Sequence, residues 1–495
     1  MSLSRSSFAL LAFAFAAHAE TGSRACAPCH AEIYKKYMQT GMARSSGRVP
    51  ATPNKESFKN AAFTSESNGA SFKISPTFRL DFARDAAKAS RQLQWFIGSG
   101  RLGRSYLFET DGMLFQAPVS YFAASKSWSL SPGYESKPTA DFTRRVEPAC
   151  LQCHASRVQQ SAARPFLEDG ISCERCHGDG SAHAAGKGRM INPAKLNAEA
   201  RDSVCAQCHL TGAARVATAG GGRASYQPGR KLSDSVAVFV WNPAPPQKAR
   251  ATGHFEDLAN SACKTNAGDK LWCGTCHDPH TEAADSRAKC QTCHTPNTCP
   301  NASGGDCVQC HMPKSESGQH LPFTDHSIPR NPAARGTPTE TPVLKPFWGQ
   351  PSKREFALAH AIASPATALA LLEAASNEGD ALLTAQLSFA YDRAGLEEKA
   401  ERAALRAVDL DPTQTAARIN LGSYAIKRGD VKSAMAHWLK ALAQNPALTA
   451  ARVNLAVAQY QSGDAKAARA TLKTALLFDP DLLVAQPALS TLMAP

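Results

Sequence analysis

The sequence predicts a multidomain chain: a loop-rich region organised by bound cofactors and carrying a small β-rich insertion, then an all-α repeat solenoid. Three observations predict this. Seven copies of C-x-x-C-H account for fourteen of the 16 cysteines and lie between residues 26 and 311. Residues 50–145, between the first and second copies, hold no cysteine or histidine and alternate apolar with polar side chains. Beyond residue 352 the chain turns Ala/Leu-rich and repeats every 34 residues. A length of 495 residues suits two or three domains. With 43% hydrophobic and 20% charged residues, wholesale disorder and a collagen-like chain are excluded.

Residues 1–19 read as a secretory signal: Arg5, an apolar run over 8–17, and the small-residue site Ala17-His18-Ala19 before Glu20. That run is too short to span a bilayer. No later stretch reaches ~18 uninterrupted apolar residues, so the mature chain is expected to be soluble, without a transmembrane segment. The expected location is exported: periplasmic, with an extracellular or cell-surface position as the variant, in a bacterium.

Residues 20–328 form the cofactor-bearing domain. A helical pattern runs over 31–42 after the first motif. Within 50–145, Ser71-Phe72-Lys73-Ile74 and Met113-Leu114-Phe115-Gln116 alternate as strands do, and Asp111-Gly112 is a hairpin signal. Gly98, Gly100 and Gly103 fit G-x-G-x-x-G, but residues 105–109 continue as a strand rather than a helix, so a glycine-rich turn is the better reading than a dinucleotide site. Residues 146–328 carry six motifs with little hydrophobic periodicity and are expected to fold around their cofactors. Prolines 329, 332, 338, 342, 346 and 351 mark a stiff linker over 329–351. In 352–495, Gly395, Gly429 and Gly463 step by 34, as do Pro412, Pro446 and Pro480, and Ala400, Ala434 and Ala468. This register resembles the tetratricopeptide repeat. It covers 381–480, preceded by a helical pair near 353–377, and is expected to form a separate module.

The motif cysteines are Cys26 and Cys29, Cys150 and Cys153, Cys173 and Cys176, Cys205 and Cys208, Cys273 and Cys276, Cys290 and Cys293, and Cys307 and Cys310. The histidines that follow are His30, His154, His177, His209, His277, His294 and His311. Two thiols at this spacing form thioethers to the two vinyl groups of a c-type haem, and the adjacent imidazole ligates its iron. A zinc or redox C-x-x-C followed by a chance histidine explains one copy, not seven. Seven haems bring roughly fourteen propionate charges, which the net charge of +13 about balances. The basic excess therefore does not argue for nucleic acid.

A low-spin iron needs a second axial ligand. His183, His254, His280, His320 and His326 are the candidates. His183, six residues after His177, and His280, three after His277, cannot readily pass around their own porphyrins, so each is expected at a neighbouring haem. His360 and His437 fall in the repeat region and are read as ordinary packing residues. Met42 is the sixth-ligand candidate for the first motif. The last iron is left to Met312 or Met190, to a residue of another subunit, or to an open position. Cys263 and Cys299 lie outside the motifs and form a disulfide candidate in an oxidising compartment.

Around the motifs the chain resembles the multihaem cytochromes with doubled C-x-x-C-H motifs, a group related to the tetrahaem cytochromes of ammonia oxidisers and the pentahaem nitrite reductases. The phrases that carry this are 173–180 with His183, 276–280, 310–314 and 323–326. The resemblance implies extra histidines as distal haem ligands. The lysine-ligated catalytic haem of the nitrite reductases has no counterpart, since no C-x-x-C-K is present. The expected function is electron relay between redox partner proteins, with the repeat groove binding a peptide or protein. The alternatives are an oxidoreductase acting on a small nitrogen or sulfur species at an open haem, and a self-assembling cytochrome.

Overall fold

The computed structural model describes residues 21–51, 56–135, 137, 141–244, 252–281, 286–294, 307–316, 321–330, 340–376 and 379–493. The leader, His320 and Cys299 lie outside them.

Among the described residues nine strands lie in and just before the insertion: β1 (Ser46–Arg48), β2 (Ala62–Thr64), β3 (Ser71–Ile74), β4 (Arg79–Arg84), β5 (Ala87–Gln92), β6 (Trp95–Ile97), β7 (Gly103–Thr110), β8 (Met113–Phe122) and β9 (Ser127–Leu130). They form two antiparallel sheets, β1-β6-β7-β8-β9 and β2-β3-β4-β5. Asp111 and Gly112 turn β7 into β8 with φ of 51° and 72°, the double positive φ that an Asp-Gly hairpin supplies. The G-x-G-x-x-G stretch is the turn from β6 to β7, two antiparallel neighbours. At Gly103 a Cβ would stand 2.7 Å from the Tyr121 carbonyl, so close strand pairing accounts for that glycine.

Alternation along the five-stranded sheet gives it two apolar faces. Phe108, Phe115 and Tyr106 share one core with Phe72 and Phe82 of the other sheet and with Phe78 in the turn between β3 and β4. Leu107, Leu114 and Trp95 point the opposite way, onto Leu151, Ala155 and Phe166 of the second motif's segment. The haem-free insertion thus seats a motif directly.

The segment 146–328 has a core of its own, contrary to the expectation that only cofactors would organise it. Val236–Asn242 reads VAVFVWN, an apolar run rich in valine. It forms the central strand of a sheet with Ala214–Ala217 and Val343–Pro346. Ala206, Leu210, Tyr226, Leu232 and Phe255 pack against it. The third strand comes from the Pro-rich stretch. Prolines spaced through 329–351 suggested a spacer, yet Val343 and Leu344 pair with Asn242 and Trp241, and Leu344 is buried.

The repeats are helix pairs as their period requires: Ala381–Arg393 with Glu397–Leu410, Thr415–Lys427 with Val431–Gln444, and Thr449–Gln461 with Ala465–Phe478. Gly395, Gly429 and Gly463 sit at the turns within pairs with φ of 73–85°, where a side chain would be strained. Before them come Lys353–Ala363 and Leu369–Ala375.

The repeats do not form the separate module that the linker suggested. At one end Ala357, Leu358, Leu372 and Leu383 pack on Val216 and Phe239 of the three-stranded sheet. Arg354 pairs with Asp380 there and donates to the Ala217 carbonyl at 2.8 Å. At the other end Phe478 enters the insertion's aromatic core, 5.4 Å from the Phe115 ring, and its carbonyl accepts from Phe142 N at 2.7 Å. Arg84 of β4 pairs with buried Asp481 at 2.6 Å. Among the described residues no helix is long and apolar enough to cross a membrane.

Candidate haem centre

Each motif winds one helical turn, because positions i, i+3 and i+4 share a helix face. The motif histidine N–H donates to the first cysteine's carbonyl at 2.9 Å in 26–30, 3.0 Å in 173–177, 2.9 Å in 273–277 and 3.0 Å in 290–294. His209 ends the long helix Ala198–His209 and His311 ends Cys307–His311. At the second motif the bond runs from His154 N to the Leu151 carbonyl, 2.8 Å. These turns send two thiols and an imidazole to one side, as thioether attachment and axial ligation require.

The motifs adjoin one another. The Cys26 thiol lies against Cys173, Cys208 against Cys153, Cys205 against Cys273, and Cys290 against Cys307. Burial pushes the thiols of Cys26, Cys176 and Cys290 up to about 11. The Cys273 thiol, hydrogen-bonded with Cys205, is instead held below its ordinary value. No cluster of three or more His, Cys, Asp or Glu suited to a metal ion occurs among the described residues.

Among the described residues four motif histidines face a second imidazole. His30 and His183 have ring centroids 6.2 Å apart, and His177 and His280 are 5.9 Å apart. His209 and His254 are separated by 5.9 Å with planes only 6° apart, and His277 and His326 by 6.2 Å. An imidazole bound at roughly 2 Å puts its centroid about 3 Å from a metal, so opposed ligands of one iron stand about 6 Å apart. All four pairs have that spacing.

The remaining ring nitrogens fit the same role. His177 Nδ1 lies 2.7 Å from the Ile191 carbonyl, His183 Nδ1 3.1 Å from Gly188 O, His326 Nδ1 3.0 Å from Thr324 O, and His311 Nδ1 3.0 Å from Pro329 O. A carbonyl only accepts, so Nδ1 carries the proton and Nε2 keeps its lone pair for a metal. His254 Nε2 is buried with no hydrogen-bond partner, an orphan that iron ligation would satisfy. Burial holds His154, His177, His277 and His326 below the ordinary imidazole range and pushes His254 down to about 3, with His326 its next largest cause. Neutral imidazole is the ligating form. The residues present therefore fit a bis-histidine haem.

Of the predicted distal ligands, His183, His254, His280 and His326 are each brought to a motif histidine. His183 and His280 sit at motifs other than the ones they follow in sequence. Met42 is not what faces His30; His183 is. The Met42 backbone carbonyl instead accepts from Ile171 N at 2.9 Å and from Ser45 Oγ at 2.7 Å, tying the first segment to the third. Cys263 lies near Cys276 and Cys293. His360 packs on Phe356 within the helical region, the ring centroids 4.7 Å apart and the planes tilted by 52°. Sequence reasoning missed the carbonyls of Ile191, Gly188, Thr324 and Pro329, for which no residue type gives a signal. It also missed Glu174, inside the third motif, whose buried carboxylate accepts from the amides of Thr21, Gly22 and Gly180 at 2.9 Å each. A cleft of about 740 Å³ over β2–β5, lined by Phe63, Lys73 and Asp81, holds no motif residue.

Residues 119–178 match the family described as cytochrome c554 and c-prime, a span that includes the second and third motifs. Residues 425–494 match the tetratricopeptide repeat. No curated protein matches the chain. Among solved structures, the crystal structure of MamA is 20% identical, with 25% of this chain and 74% of that one covered and a TM-score of 0.23. The first TPR of Spaghetti (RPAP3) bound to an HSP90 peptide is 19% identical, covering 23% of this chain and 92% of that one, with a TM-score of 0.22. The chain thus joins a segment similar to the cytochrome c554 and c-prime family to a C-terminal tetratricopeptide region.

Proposed function

We propose that the protein is an exported heptahaem c-type cytochrome that relays electrons between redox partners. The observation that carries this reading is the set of four imidazole pairs at 5.9–6.2 Å. Each covalent haem supplies a one-electron ferric/ferrous couple. The chain contributes the thiols that attach it, the motif imidazole on one side, and on the other His183 at the first motif, His280 at the third, His254 at the fourth and His326 at the fifth. Filling both axial positions leaves no site for substrate, which suits electron transfer. Contact of the first motif with the third, the second with the fourth, the fourth with the fifth and the sixth with the seventh keeps the centres close enough to pass electrons on. Docking of a partner protein on the repeats belongs to the same proposal, as do the signal over 1–19 and a Cys263–Cys299 disulfide. That bridge would leave neither thiol alkylatable in unreduced denatured protein.

The test is intact mass with haem quantitation of the protein matured in a host that makes c-type cytochromes. Seven haems per chain and a predominantly low-spin spectrum are expected. Four or fewer haems, or bound zinc, refute it.

The second reading is an oxidoreductase with an open haem. Among the described residues His154, His294 and His311 have no imidazole opposite, and His320 lies outside those residues. Stoichiometric binding of carbon monoxide or nitrite at one reduced iron would establish that reading.

A further inference from the structure

The imidazoles of His209, His254, His326 and His277 follow one another at centroid separations of 5.9, 4.2 and 6.2 Å. The outer spacings leave room for a metal between the rings. The middle one does not: at 4.2 Å and 29° two planar rings are in face contact. We infer that His254 and His326 form a direct bridge coupling the fourth and fifth haem sites, so that changing the axial ligand of one iron alters the other. This rests on the ligation reading above and adds to it a specific contact between two centres.

Both rings are held from outside the pair. His254 opens the helix His254–Ala259, whose Phe255 packs against Phe347 and Trp348 at 5.8 and 5.1 Å. Glu256 of that helix accepts from Thr211 N at 3.0 Å, and Thr211 N also donates to the Thr252 carbonyl at 2.9 Å. Thr211 is two residues beyond His209, so the spacing between His209 and His254 is clamped. His326 follows the hairpin Lys314–Glu316/Pro322–Thr324, with its Nδ1 fixed by Thr324 O and Asp325 N bonded to the Pro313 carbonyl at 3.1 Å. That hairpin belongs to the seventh motif's segment. A change at the fifth iron therefore moves a ring that presses on the fourth iron's ligand.

With the two ligand rings in face contact, the charge gained or lost at one iron acts on its neighbour. The two centres should titrate as an interacting pair, reduction of one disfavouring reduction of the other.

The test uses the full holoprotein, with electron paramagnetic resonance of the oxidised state and a spectrally monitored redox titration. In His326→Ala the fifth iron becomes high-spin, and a second, still low-spin signal shifts its g-values and midpoint. His183→Ala, at the first motif, changes one haem and leaves these two alone. Should His326→Ala lose haem, His326→Met and His254→Met retain an axial ligand while removing the ring contact, and each must perturb two centres. If either histidine's replacement alters one haem only, the bridge is wrong and the ligation stands. If it alters none, the ligation reading fails and the bridge with it.

Discussion

Replacing Phe478 by alanine tests whether the repeats and the β-rich insertion are one structure. The ring is 1% exposed and sits 5.4 Å from Phe115, in the core that also holds Phe142. Arg452 places its guanidinium 5.9 Å from the ring on the solenoid side. Removing a buried phenylalanine costs about 3–5 kcal/mol, the lost transfer energy plus the cavity that stiff neighbours leave unfilled. At about 1.4 kcal/mol per decade, the seam should open roughly 10² to 4 × 10³ times more often. Hydrogen exchange followed by mass spectrometry reads this locally. Peptides from Ala465–Phe478 and from the β7–β8 hairpin should both speed up, while Lys353–Ala363 at the far end keeps its protection. The neighbouring Leu477, 49% exposed, serves as control, and its alanine variant should change exchange little. Acceleration confined to the repeat peptides, with the hairpin unchanged, would refute the claim that Phe478 joins the two. Deletion of 352–495 would uncover Phe115, Phe142 and the three-stranded sheet together, so partner binding is better tested by surface substitutions in the full chain.

Three further outcomes follow from the same geometry. His183→Ala and His280→Ala should each turn one haem high-spin, and the double variant two; a spectrum unchanged by both would remove the pairs at the first and third motifs. Asp479, held up to about 8 by burial and then by its neighbour Asp481, makes the seam pH-dependent. Its folded value is raised, so its contribution is complete below about pH 4, falls as pH rises towards 8 by up to about tenfold per unit in the opening equilibrium, and is constant above. Exchange in the Phe142 and Phe478 peptides, corrected for intrinsic rates, should show that slope, and Asp479→Asn should flatten it. Finally, a Cβ on Gly422 would meet the buried Trp438 indole nitrogen at 2.2 Å, so Gly422→Ala should cost about 1–3 kcal/mol in denaturant unfolding of the repeats. A neutral result would mean that the Trp438 ring can shift freely.

How much of this was legible in the sequence depends on the range over which each feature is determined. Haem attachment is written in five consecutive residues, because thiols at i and i+3 and an imidazole at i+4 meet on one helical turn. The repeats are written in a 34-residue period, since each glycine turn and each small residue at a helix crossing recurs. Strands β3 and β8 are written in alternation, and Asp111-Gly112 fixes the hairpin between β7 and β8. The pairing of imidazoles is written nowhere locally. Steric reasoning sends His183 and His280 away from their own motifs but does not say where, and it left Met42 as the candidate for the first iron. Only the fold, with Ile171 bonded to Met42 and Glu174 holding the amides of Thr21 and Gly22, brings the third segment against the first and so sets His183 opposite His30. The same holds for the seam: Phe478 ends a repeat helix whether it faces solvent or Phe115, and Val343-Leu344 is a pause among prolines until Val236–Asn242 stands beside it. These long-range contacts decide the arrangement of the centres. A substitution at Ile171, Glu174 or Phe478, none of them in an imidazole pair, is therefore expected to disturb how the motif segments are arranged, and loss of the repeats should register first in the insertion that seats the second motif.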